Sequence, residues 1–505
     1  MKTIQLLPLE ILCYVFSFLV KDAKESWLNH LNHVPQKDDG DQLHTWRKRV
    51  LSQKKVDDTS PPCPAHRLPY SWIRITHVCR WWRFVALSSP LLWSHIAVFD
   101  KDATIEMLKR SGDVPLVVSL NLPRRSNNKV EARAMFKSRT AVFQWVLDTQ
   151  IHRIRTLVMP VLAGLLSSTL ATNATQLRNL AFVESNPYFV EDLDNRRYGD
   201  TLPFPALESF TGIAALYAPV TRLCSSTLRT LVLRHTGAAF LSAAESEDQY
   251  LSLYLHSIGE VTYALTRMPL LEHLDVELND RIEDSVVVAE LPRLRSLRLL
   301  AATRTCAEFL QHLRIPQDTT IDLECGYDAV IDIDYVLHSN LLDTLGRHIA
   351  DPSNIHPSEL DPITSLSVQC DGYSSVFCGW RSQQLLLATE DDVTPDVRLS
   401  IVAASSSGDV LRLLRALPCH NVEILRVGDI AWSKDETYLD CVLALSTTPR
   451  LRDLTLESTA AAFAWEVACR TTARHISLVR MPFYPERIPD IGVGLEQFWQ
   501  SKCDL

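Results

Sequence analysis

The side chains in this sequence that could do chemistry are few and isolated. Cys63-Pro64-Ala65-His66 sets a thiol and an imidazole at the spacing of half a zinc site. A tetrahedral site needs two more ligands and no second pair stands near, so a free thiol is the favoured reading. Glu390-Asp391-Asp392 offers carboxylates to a hard cation, but reads first as an exposed loop. Gly492-Val493-Gly494 lacks the third glycine and the following helix of a phosphate-binding loop, and reads as a turn. His273 flanks an apolar strand and reads as a sheet-surface residue rather than a base. Asn173-Ala174-Thr175 accepts a glycan only in a secreted chain. No P-loop, G-x-S-x-G elbow or H-E-x-x-H pair is present. The expectation is therefore a protein that is not an enzyme and holds no cofactor or metal. Its function is expected to be carried by contacts.

The elements that would make those contacts begin near the start. Leu7, Ile11, Leu12, Val15, Phe16 and Leu19 recur on one face of a helix that Pro8 can open, since proline costs nothing in a first helical turn. A second amphipathic helix is predicted over 71–87, with Trp72, Ile75, Val78, Trp82 and Val85 at three- and four-residue steps. Ser89-Pro90 ends it and Leu92-Trp93 packs back. Trp81, Trp82 and Trp93 are expected to bury much surface in few residues. Between the two helices, residues 21–70 are polar and proline-bearing and read as an insert. Its Arg47-Lys48-Arg49 cluster reads first as a solvated helical face, with a nuclear-import signal as the alternative.

Past Ile96 the pattern changes to a recurring L-x-x-L-x-L phrase. It stands at Leu177-Leu180-Phe182, Leu228-Leu231-Leu233, Leu271-Leu274-Val276, Leu294-Leu297-Leu299, Val422-Leu425-Val427, Leu451-Leu454-Leu456 and Ala473-Ile476-Leu478, with weaker copies at Ile321–Leu323 and Leu366–Val368. Leu274, Leu297 and Ile321 are 23 and 24 residues apart. The gaps from Leu231 to Leu274 and from Ile321 to Leu366 are 43 and 45, which predicts a degenerate unit in each. Helical patterns fill the spaces between phrases, and Pro269, Pro292, Pro418 or Pro449 often divides helix from strand. One strand and one helix per 20 to 29 residues is the signature of a leucine-rich solenoid, whose units bury their leucines by stacking. The expected fold is α/β: a small all-helical module over 5–97, then an irregular repeat solenoid with a curved parallel sheet over 98–505. An ordinary α/β domain is the alternative.

Composition agrees with contacts. A chain of 505 residues exceeds one ordinary core, and 46% apolar residues is globular. A formal charge of -9 argues against a generic nucleic-acid binder. Twelve scattered cysteines with no C-x-x-C pair fit a reducing compartment, so the expected location is cytoplasmic, nuclear or both. Lys2 ahead of an apolar run resembles a secretory signal, but Pro8 and Glu10 interrupt it, and Ile11 to Val20 is too short to span a bilayer. No membrane partner is expected.

The two N-terminal pieces resemble the F-box, in the form common in mushroom-forming fungi, where degenerate leucine-rich repeats follow it. The resemblance is carried by Leu7-Pro8-x-Glu10-Ile11-Leu12, by Val78-Cys79-Arg80-x-Trp82-Arg83, and by Ser89-Pro90-Leu91-Leu92-Trp93. Leu108-Lys109-Arg110-Ser111 leading to Val114-Pro115-Leu116 also looks typical, entering the first strand. The resemblance implies a substrate-recognition subunit of a cullin–RING ubiquitin ligase, bound to a Skp-type adaptor and through it to a cullin. It implies that Leu7, Pro8, Glu10, Ile11, Phe16, Leu19, Val78, Cys79, Trp82 and Trp93 meet the adaptor or support that surface. An unidentified protein substrate would lie on the strand face, where Asp275, Glu277, Arg298, Arg426, Thr455 and Glu457 point outward between the core leucines. The sequence departs from the compact F-box in the 58 residues between Leu19 and Val78. A protein-binding scaffold with no ligase link is the rival expectation.

Overall fold

A computed structural model describes residues 8, 10–19, 71–120, 129–160, 173–183, 204–213, 225–234, 257–278, 287–326, 341, 344–345, 363–370, 374–381, 395–402, 422–427, 448, 450–456 and 478–480. The chain divides into two compact units, Met1–Thr319 and Thr320–Leu505. Residues 10–19 form helix α1, and the Pro8 carbonyl accepts from the Leu12 N–H at 3.1 Å.

The expected single helix over 71–87 is two pieces, a 3-10 helix at Ser71–His77 and helix α2 at Arg80–Leu87. Cys79 makes the break. Its backbone is extended (φ -157°, ψ 172°), and its Sγ accepts from the Trp82 N–H at 3.4 Å, so a thiol caps α2. A 3-10 turn at Pro90–Trp93 leads straight into strand β1, His95–Val98. The expected boundary at 97/98 therefore falls inside a strand, and the first strand comes one earlier than the one at Leu116.

Helix α3 (Lys101–Arg110) follows, capped by the Asp100 carboxylate, which accepts from Asp102 N and Ala103 N at 3.0 Å. Next come β2 (Leu116–Leu120), helix α4 (Lys129–Gln150) and β3 (Ile154–Pro160). β4 (Asn179–Val183), β5 (Ser209–Ile213) and β6 (Thr230–Arg234) continue the series. Helix α5 (Ile258–Leu265), β7 (His273–Glu277), β8 (Ala289–Glu290), β9 (Ser296–Ala302), helix α6 (Thr303–Gln311) and β10 (Leu313–Arg314) follow in the first unit.

In this unit β1 to β7 and then β9 pair in chain order, every pair parallel. β8 and β10 form a separate two-stranded ribbon. β4, β5, β6, β7 and β9 are each launched by the same turn. Leu177, Leu207, Leu228, Leu271 and Leu294 each donate their N–H to the carbonyl three residues back, at 3.0–3.2 Å. Pro205, Pro269 and Pro292 fall one residue into that turn, where a fixed φ is favourable and a missing N–H is harmless. The next carbonyl along accepts twice: Arg178 O takes both Glu208 N and Ser209 N, and Arg229 O takes Glu272 N and His273 N.

The phrase leucines then stack in register. Leu157, Leu180, Phe210, Leu231, Leu274 and Leu297 are partners across six adjacent strands, and all are buried. Burying each contributes about 2 kcal/mol, and no single unit could bury its own face. Gly212 interrupts the next core row, beside Phe182, whose ring stands edge-on to Phe210 at 5.4 Å. A hidden unit does exist, but between Leu180 and Leu231, where Leu207 and Phe210 carry β5. In the gap from Leu231 to Leu274, β6 pairs directly with β7, with α5 in the connection.

The second unit contains β11 (Thr320–Gly326), β12 (Ser365–Cys370), β13 (Ser374–Trp380), β14 (Val397–Val402), β15 (Ile424–Val427), β16 (Asp453–Leu456) and β17 (Leu478–Arg480). Its order is β11-β14-β13-β12-β15-β16-β17. β13 runs antiparallel to both neighbours, so the sheet is mostly rather than wholly parallel. The reason is local: the link from Cys370 to Ser374 is far too short for a parallel crossover. At β17, Val479 rather than Ile476 is the partner of core Leu454, and Leu478 lies opposite Asp453. That offset is odd in length and exchanges the two faces. The fold is mixed α/β with a long, mostly parallel sheet, consistent with an irregular leucine-rich-repeat solenoid.

Candidate docking surfaces

Helices α1 and α2 meet although the insert divides them. Cys13 Sγ lies 3.6 Å from Ser89 Oγ, 76 positions away, and Phe16 stands edge-on to Trp82 with ring centroids 5.2 Å apart. Leu12 and Phe16, four residues apart on α1, are fully buried. Behind them Trp72 and Trp93 pack edge-on at 5.0 Å, and the Trp93 indole N–H donates to Ala86 O at 2.8 Å. From α3, the Arg110 guanidinium covers the Trp93 ring at 4.3 Å. The helical module is thus packed against the first turn of the repeat region.

Its outward side carries many apolar residues. On α1, Ile11, Tyr14, Val15, Phe18 and Leu19 are exposed; on α2, Trp81, Phe84 and Leu87; beside it, Val78 and Leu91. Tyr14 is 72% exposed, Leu91 69% and Phe84 60%. Trp81, expected among the buried aromatics, is 37% exposed and stacks on Phe84 at 5.8 Å. Isolated exposed hydrophobes need no explanation, but ten in so short a stretch are what a docking surface leaves in water.

Of the residues expected at an adaptor surface, Leu7 lies outside the described residues. Pro8, Glu10, Ile11, Leu19 and Val78 are exposed; Cys79 and Trp82 are half-buried. Phe16 and Trp93 are buried, and so hold the surface up rather than form it. Tyr14, Phe18, Trp81, Phe84 and Leu91 were not anticipated at the surface. The signal for two of them was present, since Tyr14 and Phe18 are four apart and form a second apolar stripe beside Leu12 and Phe16.

On the sheet, the residues between core leucines project from the opposite face. Asp275 and Arg298 are register partners on β7 and β9, with Glu277 two positions along. All three are half-buried. Arg234, unanticipated, donates Nε to Asp275 Oδ1 at 3.0 Å and Nη2 to its other oxygen, so this carboxylate is already held by a bidentate pair. In the second unit Arg426 and Thr455 are partners on β15 and β16, both half-buried. Glu457 lies outside the described residues.

A charge ladder borders the first-unit face. Arg178 pairs with Glu208 at 3.0 Å, and Glu272 takes Arg229 at 2.6 Å and Arg295 at 3.9 Å. These groups occupy the same position just before successive strands, so opposite charges alternate and neutralise one another.

Among the described residues no three His, Cys, Asp or Glu side chains gather as a metal set, and no described helix is long and apolar enough to cross a membrane. His273 is exposed on the sheet face. Cys63, His66, Glu390–Asp392 and Gly492–Gly494 lie outside the described residues. No family model and no curated protein matches the chain. Among solved structures, the leucine-rich repeat-containing protein LegL7 from Legionella pneumophila is similar, at 10% identity over 72% of this chain and 90% of that one, with a TM-score of 0.25. The repeat description rests on the strand order and the recurring turn, not on that likeness.

Proposed function

We propose that the chain is a non-catalytic substrate receptor of an F-box-type ubiquitin ligase, working in the cytoplasm or nucleus. Its helical module docks a Skp-type adaptor, and through it a cullin, while the repeat sheet holds a protein substrate. The observation that supports this is the return of α1 onto α2 across the insert, with Phe16 against Trp82 and exposed apolar residues on both helices. A receptor of this kind makes no bonds. It raises the effective concentration of a substrate lysine near a loaded conjugating enzyme. The packing of Arg110 over Trp93 favours the role, because a contact between the helical module and the first helix of the repeat region restricts the direction in which substrate is presented.

The experiment is capture of a purified Skp-type adaptor by the full chain. Wild type is expected to capture it, and the double variant Tyr14→Asp, Phe18→Asp to lose capture with an unchanged melting temperature, since both side chains stand in water. Absence of capture by a folded wild type would remove the ligase reading and leave a protein-binding scaffold.

A further inference from the structure

We propose that the docking surface of the helical module selects a partner whose matching face is apolar at the centre and acidic at the rim, with exposed arginines steering it in. This rests on the reading of the module as a docking unit and names the partner's chemistry. In a chain of net charge -9, residues 71–99 contain three arginines, Arg74, Arg80 and Arg83, and no aspartate or glutamate. All three arginines are exposed, as is His77. The exposed side of α2 interleaves them with its apolar residues: Arg80, Trp81, Arg83, Phe84 and Leu87.

None of the three guanidiniums meets a carboxylate among the described residues. Arg83 donates Nε to Thr76 O at 2.9 Å, while Arg74 and Arg80 make no described bond. The sheet behaves differently, for there Arg178, Arg229, Arg234 and Arg295 all face carboxylates. Four arginines along the sheet are thus paired, whereas among the described residues the three around the exposed aromatics meet no carboxylate. Any partner that covers Trp81 and Phe84 brings its rim within a Debye length, about 8 Å at physiological salt, of these guanidiniums. A basic rim would be repelled there, and an acidic one gains attraction and a faster encounter.

The test measures association and dissociation rates of the full chain with the purified Skp-type adaptor at low and high salt. Wild type is expected to associate about tenfold faster at low salt than at high. Arg74→Glu with Arg80→Glu, chosen because both side chains are exposed and bond to nothing among the described residues, should associate about tenfold slower at low salt and lose the salt dependence, with dissociation within about twofold. Arg74→Gln with Arg80→Gln should fall between, and melting curves of all variants should coincide. Capture with the same rate and salt slope in wild type and the charge-reversed variant overturns the inference and leaves the docking reading standing. No capture by wild type at any salt overturns both. Arginine-dependent binding to phosphatidylserine vesicles without adaptor binding assigns the surface to an anionic membrane, and also overturns it.

Discussion

Arg110 lies over the ring of Trp93, 4.3 Å from guanidinium carbon to ring centroid, and joins the first helix of the repeat region to the N-terminal helices. Trp93 also packs on Trp72 and donates to Ala86 O, so one buried residue serves three partners. Trp93→Ala is expected to cost about 3–5 kcal/mol, seen as a large fall in melting temperature. Trp93→Phe keeps most of the packing but loses the indole N–H, and should cost about 1–2 kcal/mol. Arg110→Ala should cost less than about 2 kcal/mol, since the guanidinium also makes an exposed pair with Glu106 that contributes little.

Arg153 predicts a larger loss than its charge type suggests. The residue is buried, and Nη1 donates to Gly112 O and, at 3.2 Å, to Val114 O; Nη2 reaches Ser111 Oγ at 3.2 Å and Nε reaches Gln150 Oε1 at 2.7 Å. Burial pushes the guanidinium below the usual arginine range, with Asp113 acting in opposition. Arg153→Met leaves two carbonyls without this donor and is expected to destabilise by about 2–4 kcal/mol in chemical denaturation.

Glu272 is the contrasting case. It takes two arginines, but their side chains are largely in water. Glu272→Gln should cost less than about 1 kcal/mol, and the difference from wild type should shrink in high salt. An unaltered difference across salt would mean that hydrogen bonding by the carboxylate oxygens, rather than their charge, carries the difference.

The repeat was legible because its signal is periodic and local. Leu231, Leu274 and Leu297 announce core positions by spacing alone, and all three fall in one register row. β5 was hidden because Phe210 and Gly212 replace leucines and break the phrase, although Leu207 and the turn at Pro205 are intact. The hairpin of β12 and β13 had a signal in Asp371-Gly372, a dipeptide that favours tight turns, which a reading for repeat phrases passes over. At the N-terminus, helical spacing found α1 and α2 but not which stripe faces water. Leu12 and Phe16 are buried while Tyr14 and Phe18 are exposed, and both pairs have helical spacing. What decides between them is Trp82, which reaches α1 from across the insert and which no local pattern can place.

Two glycines separate backbone from packing. Gly112 follows α3 with φ 53° and has nothing within 4 Å of where a Cβ would stand. Gly112→Ala should therefore cost only the left-handed backbone penalty, about 1 kcal/mol, and Gly112→Asn less. Gly379 on β13 has ordinary backbone geometry but faces Ile363, whose Cδ1 and Cγ2 would stand 3.2 and 3.3 Å from an added Cβ. Gly379→Ala should cost about 1–3 kcal/mol through overpacking. Ile363→Val removes Cδ1 and leaves Cγ2, so the double variant should be less destabilised than the sum of the singles by about 0.5–1 kcal/mol. Strict additivity in denaturant melts would mean that β13 shifts as a whole to admit the methyl group, and that its antiparallel register with β12 and β14 is softer than its paired strands imply.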